Sequence, residues 1–481
     1  MRSIHRREMT MCKSSLSRLY ITLLGVGIFL LLSTGAQSQD VWNGGSATAG
    51  PTNGYWSTAA NWVAGTAPVA NDSLTFNAPV AGGTRVTTND LTAGTEFNNI
   101  VINGGQFFLS GNSISLGGTN PQFIVNSGTE TINLSMALLQ DTTFQVNTGG
   151  SNPLLINGVI SGGFGLTKTG VSLMRFAALQ TYSGDTTISS GTLDVTGDFM
   201  PSGSGKGNLT IVNGGTFQMN NASANINGLS GAGIVAKVGS GGRILTLGNN
   251  NADGVFTGNF VQNVGTLTIT KTGSGTQVIG GTLNNTGTIN VNGGTLLFNG
   301  THTAGVGNYS VGPGATLGGT GLISFAATAS LIVSNGGTLS PGNSAGLLRL
   351  NGGLGMTLQS NSNYAVELNG LGLGVDYDSV LVGSGTINIG NSVLAVSLGF
   401  TPNVGDQFDI VTNATGNAVL GEFAGLSEGS VFTVGSTDLQ ITYLGGTGND
   451  IVLTVVPEPS SLGLIVFGLL GTYWLRRRSR Q

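Results

Sequence analysis

Residues 166 to 193 read LTKTGVSLMRFAALQTYSGDTTISSGTL, and residues 269 to 296 read ITKTGSGTQVIGGTLNNTGTINVNGGTL. The two stretches align without gaps. Thr167, Lys168, Thr169, Gly170, Gly184, Gly191, Thr192 and Leu193 all recur in the second copy. The matches fall at turn glycines and strand starts, where backbone geometry restricts the choice of residue. Between them, polar and apolar residues alternate, as in Thr288-Ile289-Asn290-Val291-Asn292. Alternation of period two buries one face of a strand. Asn-Gly-Gly follows an apolar run at Asn103, Asn213, Asn292 and Asn335, and supplies the positive φ of a sharp turn. Hardly any stretch shows a 3.6-residue period. The pattern predicts an all-β chain of short strands, and near-periodic turns over such a length favour a stacked β-solenoid over a sandwich. Asparagines at repeated turn positions are then placed to stack as ladders between coils.

Composition agrees. Only 8% of the 481 residues are charged, against about 25% in an ordinary soluble protein. Gly contributes 83 residues, yet the chain is charge-poor and rich in Thr, Val, Ile and Asn, which suits strands and turns better than a solvated coil. Between Asp40 and Val456, eight basic residues face nineteen acidic ones. Such a body repels phosphates and offers no basic patch, which excludes nucleic acid as a partner. The single cysteine, Cys12, precedes the first apolar run.

The two ends read as addresses. A basic stretch leads into the apolar run Leu19 to Leu32, and Ala36 and Ser38 are small residues at the spacing of a signal-peptidase site before Gln39. Residues 1–38 are therefore expected to be a signal helix removed on export. At the other end, Pro457-Glu458-Pro459 precedes the apolar run Leu462 to Leu475. Arg476, Arg477, Arg478 and Arg480 follow and act as a cytoplasmic stop. At about 1.5 Å per residue that run makes a short transmembrane helix, a temporary anchor behind an accessible spacer. The expected organisation is a signal peptide (1–38), a Trp-rich N-terminal cap (39–80), a solenoid (81–340) with repeats at 166–193 and 269–296, a C-terminal β region (341–455) and a sorting signal (456–481).

The C-terminal end resembles the PEP-CTERM sorting signal of Gram-negative bacteria, on Pro457-Glu458-Pro459, the Gly- and Leu-rich run and the closing arginines. That resemblance implies cleavage near the motif by an exosortase-type membrane protease, transient anchoring, passage to the cell surface or beyond, and an association with exopolysaccharide. The 28-residue unit resembles the autotransporter-associated β-strand repeat, on Leu166-Thr167-Lys168-Thr169-Gly170, Tyr182-Ser183-Gly184 and Gly191-Thr192-Leu193; the second copy has Asn285 in place of Tyr182. This implies a right-handed parallel β-helix.

Candidate chemistry is sparse. Gly445-Gly446-Thr447-Gly448-Asn449-Asp450 fits one copy of a calcium-binding β-roll turn, and also a plain turn into the last strand. Asp376 and Asp378 flank Tyr377 and would share a face if they lay on a strand, as calcium ligands or as paired carboxylates of a polysaccharide lyase or hydrolase. His302 has neither a paired His nor a nearby nucleophile. Trp42, Trp56 and Trp62 suit a cap over the first coil or a sugar-stacking platform. The expectation is a non-enzymatic surface or matrix protein, adhesin-like, with no cofactor and no assigned metal. Its expected partners are signal peptidase, an exosortase-type protease, and exopolysaccharide or further copies of itself. The alternatives are a lyase or hydrolase on the same fold and a calcium-binding β-roll.

Overall fold

The computed structural model describes residues 39–42, 54–77, 84–148 and 154–458. The signal segment with Ala36 and Ser38, the motif residue Pro459 and the arginines 476–480 lie outside the described residues. Within them, alternation in sequence becomes alternation in burial. Thr142–Val146, Gly215–Asn220 and Asn363–Leu368 each bury every second residue. The one helical element among the described residues is a three-residue 3-10 turn, Ala59–Asn61.

The strands wind into three-sided coils. Gln122–Ser127 lies on a first sheet, Glu130–Ile132 on a second and Met136–Leu138 on a third. Thr142–Val146 then returns to the first sheet, with Phe144 opposite Phe123. Parallel register continues from Leu166 to Thr186, Leu209 and Leu229, about twenty residues per coil. The first sheet counts 16 strands, from Gln39–Trp42 to Val393–Leu398. The second begins at Thr84–Asn89, and up to Gln407–Asn413 its strands pair only with the coil before and the coil after. The third face is split into four-stranded and eight-stranded pieces. Between the pieces the chain turns without a strand, and Tyr182 fills the interior with its hydroxyl on Thr186 Oγ1 at 2.5 Å. This is an all-β parallel solenoid.

The interior is a continuous apolar column. Phe123 and Phe144 stack with centroids 5.4 Å apart, and Leu, Ile, Val and Phe fill most inward positions. Each such fully buried side chain stabilises the fold by about 1.5–3 kcal/mol. Outside, an asparagine ladder climbs four coils. Asn103 donates to Asn77 at 3.0 Å, Asn126 to Asn103 at 2.8 Å and Asn147 to Asn126 at 2.9 Å. The Asn-Gly-Gly turns are corners rather than hairpins. Ile289–Val291 belongs to the third sheet and Gly294–Phe298 to the first, with Gly294 at φ +59° between them.

Both ends of the column are closed by side chains. Trp42, Trp56 and Trp62 are buried, with Trp42 and Trp62 edge to face at 5.1 Å. Trp56 Nε1 donates to Thr87 Oγ1 at 3.1 Å and Trp62 Nε1 to the Trp56 carbonyl at 2.8 Å. Parallel pairing runs on past Pro341, through Asn363–Leu368 and Ser379–Val382 to Gln407–Asn413. There the pattern turns antiparallel: Asp450–Val456 pairs with both Gln407–Asn413 and Thr437–Gly445, which in turn pairs with Val431–Val434. Phe432 and Val434, like Leu394, Val396 and Leu398 of the last first-sheet strand, are half-buried against the core.

Candidate functional site

The most unusual buried groups are lysines. Lys168 sits on an inward position of the first sheet and is fully buried. Its Nζ donates to the carbonyls of Thr169 (2.7 Å), Gly170 (3.0 Å) and Ser190 (3.2 Å), the last on the next coil. Lys271 repeats the arrangement on Thr272 (2.7 Å), Gly273 (3.1 Å) and Gly293 (3.1 Å). Lys237 does so on Gly239 (2.5 Å), Gly241 (2.8 Å) and Val264. Burial pushes Lys168 and Lys271 down to about 8, and lowers Lys237. Three carbonyl acceptors match the three donors of an ammonium, which keeps each lysine protonated at neutral pH. The lysines are thus corner clamps, each tying a turn to the following coil. Three of the eight basic residues between Asp40 and Val456 are thus buried, as are seven of the nineteen acidic ones (Asp40, Asp72, Glu130, Asp194, Asp378, Asp438 and Asp450), so the surface keeps an acidic excess.

Glu130 is the acidic counterpart. It is fully buried, its Oε2 accepts the Phe107 N–H at 2.5 Å, and Oε1 has no hydrogen-bond partner. Desolvation pushes its carboxyl up to about 8, so it is largely protonated at neutral pH.

The sequence candidates for chemistry separate in space. Asp376 is exposed and Asp378 fully buried: the strand begins only at Ser379, Asp376 lies in a turn, and Tyr377 between them makes an isolated bridge to Leu368. Asp376 Oδ2 accepts the Gly372 N–H at 3.0 Å and closes its own loop. Asp378 Oδ2 accepts the Glu367 N–H at 2.9 Å, while Oδ1 has no hydrogen-bond partner. Burial pushes Asp378 up to about 7. The two carboxyl groups therefore do not form a matched pair on one face. Gly342, at φ +89°, lies against Asp378: a Cβ there would come within 2.4 Å of Oδ1. Asp450 lies opposite Gly445 at the hairpin joining the last two strands, and its Oδ1 accepts the Asn413 N–H at 2.7 Å, tying that hairpin to the strand Gln407–Asn413. Among the described residues, no group of three or more His, Cys, Asp or Glu side chains is placed to hold a metal ion.

His302 is buried, with Nδ1 2.8 Å from the Tyr309 hydroxyl and Nε2 2.7 Å from the Asn285 carbonyl. Burial holds it down at about 4, so it is neutral: Nε2 donates to the carbonyl and Nδ1 accepts from the tyrosine. The tryptophan faces are inside the core and closed to a sugar ring.

The last strand ends at Val456, and Pro457 and Glu458 are exposed immediately beyond it. No helix among the described residues is long and apolar enough to cross a membrane. Residues 455–478 match the PEP-CTERM protein-sorting motif. The chain ends in a sorting signal. The motif thus begins at the point where strand pairing ends, with no linker between the folded body and its address. There is a second similarity: over 200 residues, 41% of this chain, the sequence is 26% identical to the adhesin BmaC autotransporter of Brucella suis biovar 1 (strain 1330). The matched region is 5% of that adhesin's length.

The sequence missed the clamp role of all three lysines. Lys-x-Gly at Lys168, Lys237 and Lys271, on an otherwise apolar inward face, is the signal that marks them.

Proposed function

We propose that this chain is an exported, non-enzymatic surface or matrix protein. A coil stack would be delivered across the inner membrane, held briefly by its C-terminal helix, and released at the cell surface by an exosortase-type protease. The observation that carries this reading is the sorting motif placed directly after the last strand, with Pro457 and Glu458 exposed. Signal peptidase removes residues 1–38 before Gln39, the first residue of the first strand. The Trp-rich segment 39–80 acts as the cap, coils between 81 and 340 as the stalk, and 341–455 as the closing region. A right-handed winding follows from the preference of parallel crossovers. The adhesin similarity supports an adhesin-like role in contact with exopolysaccharide or with further copies of the chain. The separation of Asp376 from Asp378 favours this reading over a lyase or hydrolase, and the hairpin around Asp450 favours it over a β-roll.

Replacing Pro457, Glu458 and Pro459 by alanine tests the sorting step. The variant is expected to accumulate in the membrane fraction with its tail intact. Release at the wild-type rate would sink the proposal.

A further inference from the structure

The outward face of the first sheet carries a row of neutral polar side chains in strict register. Gln122 lies opposite Thr143, Thr143 opposite Thr167, Thr167 opposite Thr187, Thr187 opposite Thr210, and Thr210 opposite Ser230. All six are half-buried, and their inward neighbours are buried except Gly231, which is itself half-buried. The hydroxyls of Thr143, Thr167, Thr187 and Thr210 make no hydrogen bond to any described residue. The next column on the same face, Ile124, Gln145 and Thr169, is also uncharged. Beyond Ser230 the row continues as aliphatic Val255, Val278 and Leu297. No charged side chain interrupts it, although the rest of the surface is acidic.

We infer that this face binds an extended, uncharged, β-linked polysaccharide lying along the coil axis. Strands of one sheet stand about 4.8 Å apart, so the row presents one hydroxyl per coil at that interval. An extended pyranose chain advances by nearly the same length per sugar, so successive sugars meet successive coils. Each threonine both donates and accepts, as each sugar hydroxyl does. Its β-branched side chain has few rotamers to lose, and the coils hold the row rigid before the ligand arrives. The aliphatic continuation suits the C–H faces of the same sugars. An anionic polymer meets no cation on this face and is repelled by the acidic surface around it.

This inference rests on the reading of the chain as a non-catalytic surface protein, and one experiment separates the two. The processed full-length protein is run in native gels with and without hydroxyethyl cellulose, or with polygalacturonate. The expected result is retardation by the neutral glucan alone, unchanged at high salt. The triple variant Thr167→Val, Thr187→Val, Thr210→Val keeps the β-branched shape, and its circular dichroism and melting temperature check that it folds. It should bind at least about tenfold more weakly. Unchanged binding by that variant, loss of binding in salt, or no retardation of the wild type would overturn the inference. So would thermal hysteresis of freezing without glucan binding, which would identify ordered water as the ligand. Shortening of the glucan by the protein would instead overturn the non-catalytic reading while leaving the binding face in place.

Discussion

The corners at Lys168 and Lys271 are the same device on different sides of the solenoid. Each lysine meets its own Lys-x-Gly turn and one carbonyl of the next coil, at distances that agree to about 0.1 Å. Yet Leu166–Thr169 lies on the first sheet and Thr266–Lys271 on the third. Lys237 clamps the remaining corner, at the end of the second-sheet strand Ile234–Val238. The difference in placement teaches that the repeat specifies a corner and not a face. A Lys-x-Gly turn works wherever a strand ends and the next coil brings a carbonyl within reach, so the module moves around the coil without losing its chemistry.

Removing the clamps breaks this equivalence most severely. Lys168→Met and Lys271→Met each strand three carbonyls while keeping the bulk of the side chain. Each is expected to cost about 2–4 kcal/mol, measured by denaturant unfolding. Similar losses at the two sites, additive in the double variant, support a shared device; a large loss at one site alone separates them. The turn glycines come next. Gly170→Ala and Gly273→Ala force a side chain onto φ values of +76° and +67°, with Cβ 2.3 Å from the Val146 carbonyl oxygen and 2.2 Å from that of Gly248. A cost of about 2 kcal/mol is expected at each.

Glu130 sharpens the contrast through pH. The folded state holds its proton up to about pH 8, whereas the unfolded chain releases it near 4.5. Stability from this group is therefore full below that window and falls as pH rises through it. The buried lysines act in the opposite sense: the unfolded chain keeps its proton to about 10.5, so their contribution rises with pH between about 8 and 10.5. Glu130→Gln should melt above wild type at pH 9, with the gap closing towards pH 4. An equal gap at both values would contradict the buried carboxyl. The smallest effect is expected at the ladder. Asn126→Ala removes two side-chain bonds at an exposed corner that no lysine clamps, a loss of about 1 kcal/mol.

Much of the fold was legible. Period-two alternation with Asn-Gly-Gly punctuation marks strands and corners, and the matched stretches at 166–193 and 269–296 are true structural equivalents at their lysine turns. The stacking of asparagines was readable in part: of the Asn-Gly-Gly positions only Asn103 joins the ladder, whose other members are Asn77, Asn126 and Asn147. The placement of each repeat on a particular sheet was not, because alternation fixes which residues point inward but not how many corners the chain has already turned. Lys237 is hidden from sequence comparison because Ala236-Lys237-Val238-Gly239 shares only the lysine and the glycine with its counterparts. The Asp376 and Asp378 alternatives depended on a strand that starts at Ser379. The hydroxyl row on the first sheet is invisible in one dimension, since its members are about twenty residues apart and become neighbours only through coil register.

The most direct test is the intact mass of the protein recovered from outside the cell. The expected species begins at Gln39, retains the last strand Asp450–Val456 and lacks Arg476, Arg477, Arg478 and Arg480. External protein that still carries those arginines would contradict delivery by a removable sorting tail.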